Sequence, residues 1–205
     1  MADRETRALI NGGIVVAVAI GIGMFWYARG SNASNEEDGP GPNMTIEVAG
    51  VANGTVVIDL DPMIAPKHVA QIKALAAAGA YDGIVFHRVI EGFMAQTGDV
   101  KFGKSGGDLS QAGMGGSDLS DIPAEFSDTP YLRGTVGMAR SSDPDSANSQ
   151  FFIMFAPGDS LNGQYTVVGH VISGMDVVDA IKRGKPDLNG AVEGNPDRMV
   201  KVTVE

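Results

Sequence analysis

The sequence predicts a mainly β domain: an antiparallel barrel of about eight short strands with two helices, preceded by an apolar N-terminal segment. Three observations predict it. Glycine occurs 28 times and proline 10 times among 205 residues, so the chain turns often. Several short runs rich in β-branched and aromatic side chains are bounded by turn residues. Within the body, only two stretches repeat apolar residues at helical spacing. Hydrophobic residues make up 43% and charged residues 20%, enough apolar matter for an ordinary core.

Taken in order, residues 1–7 form a short polar flank. Ala8 to Ala28 carries no ionisable group except Tyr27. As a helix it reaches roughly 31 Å, the thickness of a bilayer core. Trp26 and Tyr27 suit an interfacial belt, and Arg4 and Arg7 before the run favour an N-terminus inside. A membrane partner through this helix is therefore expected. The alternative is a cleaved signal peptide, with small residues at Ser31 and Ala33. Either way the body lies across the membrane from the cytoplasm, in the periplasm if the cell is bacterial. Residues 29–43 contain no large apolar side chain and read as a linker, so the folded domain is expected over 44–205.

Met44 to Val48 and Thr55 to Leu60 alternate around Asn53-Gly54, which predicts a hairpin with a tight two-residue turn. Pro66 to Ala78 places Val69, Ile72, Leu75 and Ala76 on one helical face, with Pro66 at the start and Gly79 at the stop. Strands are expected at 84–90, 93–97, 134–139, 150–155, 165–172 and 199–204. A second helix is expected over Met175 to Lys182. Residues 100–120 are dense in glycine and serine, and a loop so long in a compact domain usually serves function.

Composition excludes several chemistries. A formal charge of -10 repels phosphate backbones, so no nucleic-acid partner is expected. With no cysteine there is no disulfide, thiolate or Cys-ligated zinc. His68, His87 and His170 lack metal-ligand spacing, so no metal and no cofactor are expected. The glycine-rich loop lacks the Lys-Ser/Thr ending of a phosphate loop, and there is no GxSxG elbow. Nothing in the chain demands more than a monomer.

Two stretches stand apart. The first is Phe86-His87-Arg88-Val89-Ile90-Glu91-Gly92-Phe93-Met94-Ala95-Gln96-Thr97-Gly98-Asp99, and the second Ser149-Gln150-Phe151-Phe152-Ile153. With Gly134 to Arg140 between them, they resemble the signatures of the cyclophilins, and the likeness spans about residues 44–205. It implies a closed eight-stranded antiparallel barrel capped by two helices, with the site on its outer face. It also implies peptidyl-prolyl cis-trans isomerisation of proline-containing polypeptides. By resemblance Arg88 donates to the proline nitrogen, and Gln96 bonds the substrate carbonyl and steadies Arg88. Phe93, Met94, Phe152 and Leu161 form the proline pocket, while Ala139 and the backbone of Arg140 pair with substrate. His87 flanks the arginine, and Tyr165 offers a hydroxyl where the family implicates a histidine or similar group. Ser160 departs from the family, which carries an aromatic residue there, and the missing wall bears on cyclosporin binding. A non-catalytic module that only holds proline-containing segments is the competing expectation. Such a module has no need of Arg88.

Overall fold

Residues 37–205 are described by a computed structural model, and the expected membrane span over 8–28 lies outside them. Among the described residues no helix is long and apolar enough to cross a membrane. Eight strands form one sheet: β1 (Asn43–Ala49), β2 (Gly54–Leu60), β3 (Arg88–Ile90), β4 (Met94–Thr97), β5 (Thr135–Met138), β6 (Phe151–Met154), β7 (Val167–Ser173) and β8 (Arg198–Val204). Their spatial order is β3-β4-β6-β5-β7-β2-β1-β8, and every neighbouring pair is antiparallel. The helices are α1 (Pro66–Ala77) and α2 (Met175–Ala180).

The end strands β3 and β8 do not ladder with each other. Residues 83–86 join them instead. Gly83 N–H donates to Met199 O (2.6 Å), Phe86 N–H to Asp197 O (2.8 Å), and Met199 N–H to Ile84 O (2.8 Å). This corrects the expected continuous strand over 84–90. The segment changes partners midway: Ile84 bridges Lys104 and Val85 bridges Arg198, whereas Arg88 to Ile90 pair with Gln96 to Met94. The sheet is curled and eight-stranded, with this short seam between its ends.

The hairpin turn is also corrected. The last rung of β1 and β2 is Val48 against Gly54, so residues 50–53 form a wider loop in place of a two-residue turn. The cause lies across the sheet. Ala49 stays in register with Arg198, and Ala52 N–H is drawn to the buried Asp197 carboxylate at 3.0 Å.

Helix α1 ends at Gly79, whose φ of 66° is natural for glycine and strained for other residues. No side chain of its own caps its start. The Glu125 carboxylate does so from a distant loop, accepting the N–H groups of Lys67 and His68 at 3.1 Å each and lying 2.7 Å from His68 Nδ1.

Strand alternation sorts the side chains into two clusters. Val89 of β3, Ala95 of β4, Val136 and Met138 of β5, and Phe151 and Ile153 of β6 join the main core with α1. The alternate residues Met94, Phe152 and Met154 turn outward and form a second apolar cluster with Tyr131, Leu161 and Val167. Interior packing thus fills the inside of the curl, and a smaller oily surface is left on its outside.

Candidate active site on the outer face of the sheet

That outer cluster floors a cavity of about 190 Å³ lined by Phe93, Met94, Phe152, Leu161 and Tyr165, with Arg88, Gln96, Ala139 and Arg140 on its rim. Phe152 stacks on Tyr131 at 5.7 Å between centroids and meets Tyr165 edge to face at 6.0 Å. The floor is therefore a rigid set of rings, large enough for a small ring such as that of proline.

Arg88 and Gln96 face each other on one rung of β3 and β4. Arg88 Nη1 donates to Gln96 Oε1 at 3.1 Å. Its other contacts are to Asn189: Nε to the backbone oxygen at 3.0 Å and Nη2 to Oδ1 at 3.1 Å. All these partners are uncharged. The guanidinium thus stands at the slot, and among the described residues no carboxylate pairs with it. Partial burial lowers its pKa, the Tyr165 oxygen opposes the shift, and arginine keeps its proton regardless.

The hydrogen bonds continue outward as a chain. Gln96 Nε2 donates to Gln150 Oε1 at 2.9 Å, and Gln150 Nε2 donates to the carbonyls of Gly113 (3.0 Å) and Gly115 (2.7 Å). Asp99, wholly buried, accepts the N–H groups of Gly113 (2.7 Å), Gly115 (2.9 Å), Lys101 (3.1 Å) and Phe102 (2.9 Å). One carboxylate therefore folds the glycine-rich loop back onto the site. The loop then lines a second cavity of about 310 Å³, which shares Gln96, Ala139 and Arg140 with the slot.

Of the residues singled out in the sequence, Arg88, Gln96, Phe93, Met94, Ala139, Arg140, Phe152, Leu161 and Tyr165 all meet at the slot. His87 does not. Its side chain is 7% exposed and lies beneath Gly113, where an added Cβ would sit 3.0 Å from the ring. Burial depresses its pKa to about 4, with the Asp99 charge, the Val85 backbone and Gln150 opposing the shift. Its place corrects the expected substrate contact to a support beneath the loop. Ser160 is exposed and absent from the slot lining.

Sequence reasoning missed Asn189, Gln150 and Asp99 as parts of the site. Gln150 and Asp99 stood inside the two signature stretches. Asn189 carried a weaker signal, an Asn-Gly pair suited to a turn. Its φ of 52° is a left-handed conformation that asparagine tolerates. Among the described residues no group of three or more His, Asp or Glu could hold a metal ion.

Residues 43–204 match the family described as cyclophilin type peptidyl-prolyl cis-trans isomerase/CLD. A "Probable peptidyl-prolyl cis-trans isomerase" of Brucella suis is 63% identical over 155 residues, covering 75% of this chain and 79% of that protein. Peptidyl-prolyl cis-trans isomerase A of Dickeya dadantii is 34% identical over 164 residues, covering 73% of this chain and 77% of that one. Among solved structures, a cyclophilin from Hirschia baltica superposes with a TM-score of 0.64 at 27% identity, covering 78% of this chain and 73% of that one. A match over nearly all the described residues, with the slot and its arginine in place, means that this chain belongs to the cyclophilin-type peptidyl-prolyl cis-trans isomerases.

Proposed function

We propose that Arg88 and the slot beside it isomerise Xaa-Pro bonds in polypeptide substrates. The barrier to rotation is about 18–20 kcal/mol because the C–N bond is partly double. No bond need break, so no nucleophile or proton acceptor is required. Twisting the bond localises a lone pair on the proline nitrogen. A fixed cationic donor beside that atom stabilises the twisted state more than either planar one. In this reading the apolar slot holds the ring, Arg88 supplies the donor, and Gln96 and Asn189 keep the guanidinium aimed. Gln96 Nε2 is committed to Gln150, so Gln96 serves first as a steadying group. In the same reading Ala139 and the Arg140 backbone align the substrate, and Tyr165, on the slot's lining, offers its hydroxyl to the turning carbonyl. In this reading the seam at residues 83–86, bonded to residues 197–199, helps to draw the curled sheet towards a barrel and supports this outer face.

The observation that carries the reading is the arginine at the slot's rim with only neutral partners. Exchange NMR on a short Ala-Pro peptide tests it. Arg88→Ala is expected to lower kcat/KM by on the order of a hundredfold, the usual effect of losing one preorganised donor. Equal rates for the two proteins would leave only the binding-module reading.

The apolar run at 8–28 supports a retained N-terminal anchor with the domain on the extracytoplasmic side. The mass of the mature protein extracted from membranes distinguishes this from cleavage after Ala33.

A further inference from the structure

The side chain of Arg140 has no part in the reaction as described. It stands on the wall shared by the slot and the adjoining cavity. Its guanidinium lies 4.4 Å from the Tyr165 ring centroid. Nε and Nη2 donate to the carbonyl of Gln164 at 3.3 and 2.9 Å, and Nη1 to that of Ser141 at 2.9 Å. These contacts fix the group without neutralising it. Among the described residues no ion pair joins Arg140 to an acid; the Asp145 carboxylate accepts Ala124 N–H and that of Asp143 accepts Asp145 N–H. Among the residues lining the two cavities, Arg88 and Arg140 are the only charged ones. A chain of formal charge -10 thus presents along its substrate groove two cations that have no ion-pair partner among the described residues. Such local reversal of sign focuses the field on that groove.

We infer that Arg140 is a specificity-determining residue that favours substrates with a glutamate or aspartate within two residues of the proline. The inference rests on the isomerase reading and names its substrate class. An extended chain advances about 3.3 Å per residue. With the proline ring in the slot, the side chain of a residue one or two positions away therefore reaches the shared wall and the cavity beyond it. A carboxylate there meets a planar donor already held in place by Tyr165 and two carbonyls, so little ordering is lost when it binds.

The test is exchange NMR of the full chain on peptide sets carrying Glu, Gln or Lys at each of the two positions on either side of the proline. At low salt kcat/KM is expected to rank Glu, Gln, Lys at one of these positions, with Glu over Gln by about threefold. The ratio should fall towards one at about 0.5 M salt, where screening is strong. Arg140→Gln should abolish the ratio, Arg140→Lys should keep part of it, and Lys201→Gln, a charge lost from β8, should leave it intact. Because each ratio is taken within one protein, a change in overall rate does not obscure it. A wild-type ratio of one at all four positions, or an unchanged ratio in Arg140→Gln, overturns the inference while leaving the isomerase reading in place. Failure to turn over even the Gln peptides defeats both.

Discussion

Gly137 sits in β5 directly opposite Phe152, on the outward side of the strand. A Cβ there would lie 2.2 Å from Tyr131 Oη, 2.7 Å from Tyr131 Cε1 and 2.7 Å from Phe152 Cζ. Tyr131 is 0% and Phe152 5% exposed, so neither ring can swing into solvent. Gly137→Ala must push them roughly 1 Å, and overpacking of this kind costs about 1–3 kcal/mol. For a domain of this size that lowers Tm by about 3–10 °C. Because Phe152 floors the slot, KM should rise more than kcat falls, the mark of lost uniform binding. Tyr131→Phe removes the nearest atom, a buried hydroxyl with no hydrogen-bond partner among the described residues. Alone it should be neutral or stabilising. Combined with Gly137→Ala it should recover part of the lost stability, giving a coupling above about 0.5 kcal/mol in a double-mutant cycle. Denaturant melts and exchange NMR on the four proteins measure both effects. Additive single changes, or a Gly137→Ala protein with wild-type Tm and KM, would refute the packing argument.

Asp99→Asn exchanges two acceptor oxygens for one and turns a donor towards the loop's N–H groups. Stability should fall by about 3 kcal/mol, and hydrogen exchange at Gly113 and Gly115 or at Lys101 and Phe102 should accelerate first. Asn189→Asp keeps the tolerated left-handed backbone but sets a carboxylate against Arg88. The isomerisation rate should drop by about tenfold to a hundredfold at neutral pH and recover in part as that carboxylate is protonated, with little change in Tm. His87 titrates at about 4 when folded and near 6.5 when unfolded. The unfolded chain therefore binds more protons in that window. Its contribution is fully present above about pH 6.5 and declines by about 3 kcal/mol as the pH falls towards 4. Urea melts of the wild type and His87→Gln between pH 4 and 7 should show a shallower acid slope in the variant.

The slot was legible because it is built on two neighbouring alternating strands whose facing residues, Arg88 and Gln96, stand eight positions apart in sequence. Once β3 and β4 pair through a short turn, Arg88 must oppose Gln96, and Val89 and Ala95 must face the other way. The second signature added Phe152 by the same alternation. What alternation does not encode is a change of partner. The 84–90 run reads as one strand, yet its first half bonds to residues 103–104 and 197–199. His87 sits at that changeover, so its neighbour's orientation says nothing of its own. Asn189 was illegible for a different reason. It lies 101 residues from Arg88, in a loop whose only local signal is a turn. The tight turn expected at Asn53-Gly54 failed because the distant Asp197 holds Ala52.

The placement of β1 between β2 and β8 bears on how the molecule comes into being. The seven residues of β8 supply the second partner of the first strand, and Met199 among them, with Asp197 just before, bonds the seam at residues 83–86. Synthesis from the amino end leaves β1 with one bare edge until β8 has emerged from the ribosome. Completion of the sheet must then await the emergence of β8, so a chain cut short before Arg198 should remain open and vulnerable to proteases.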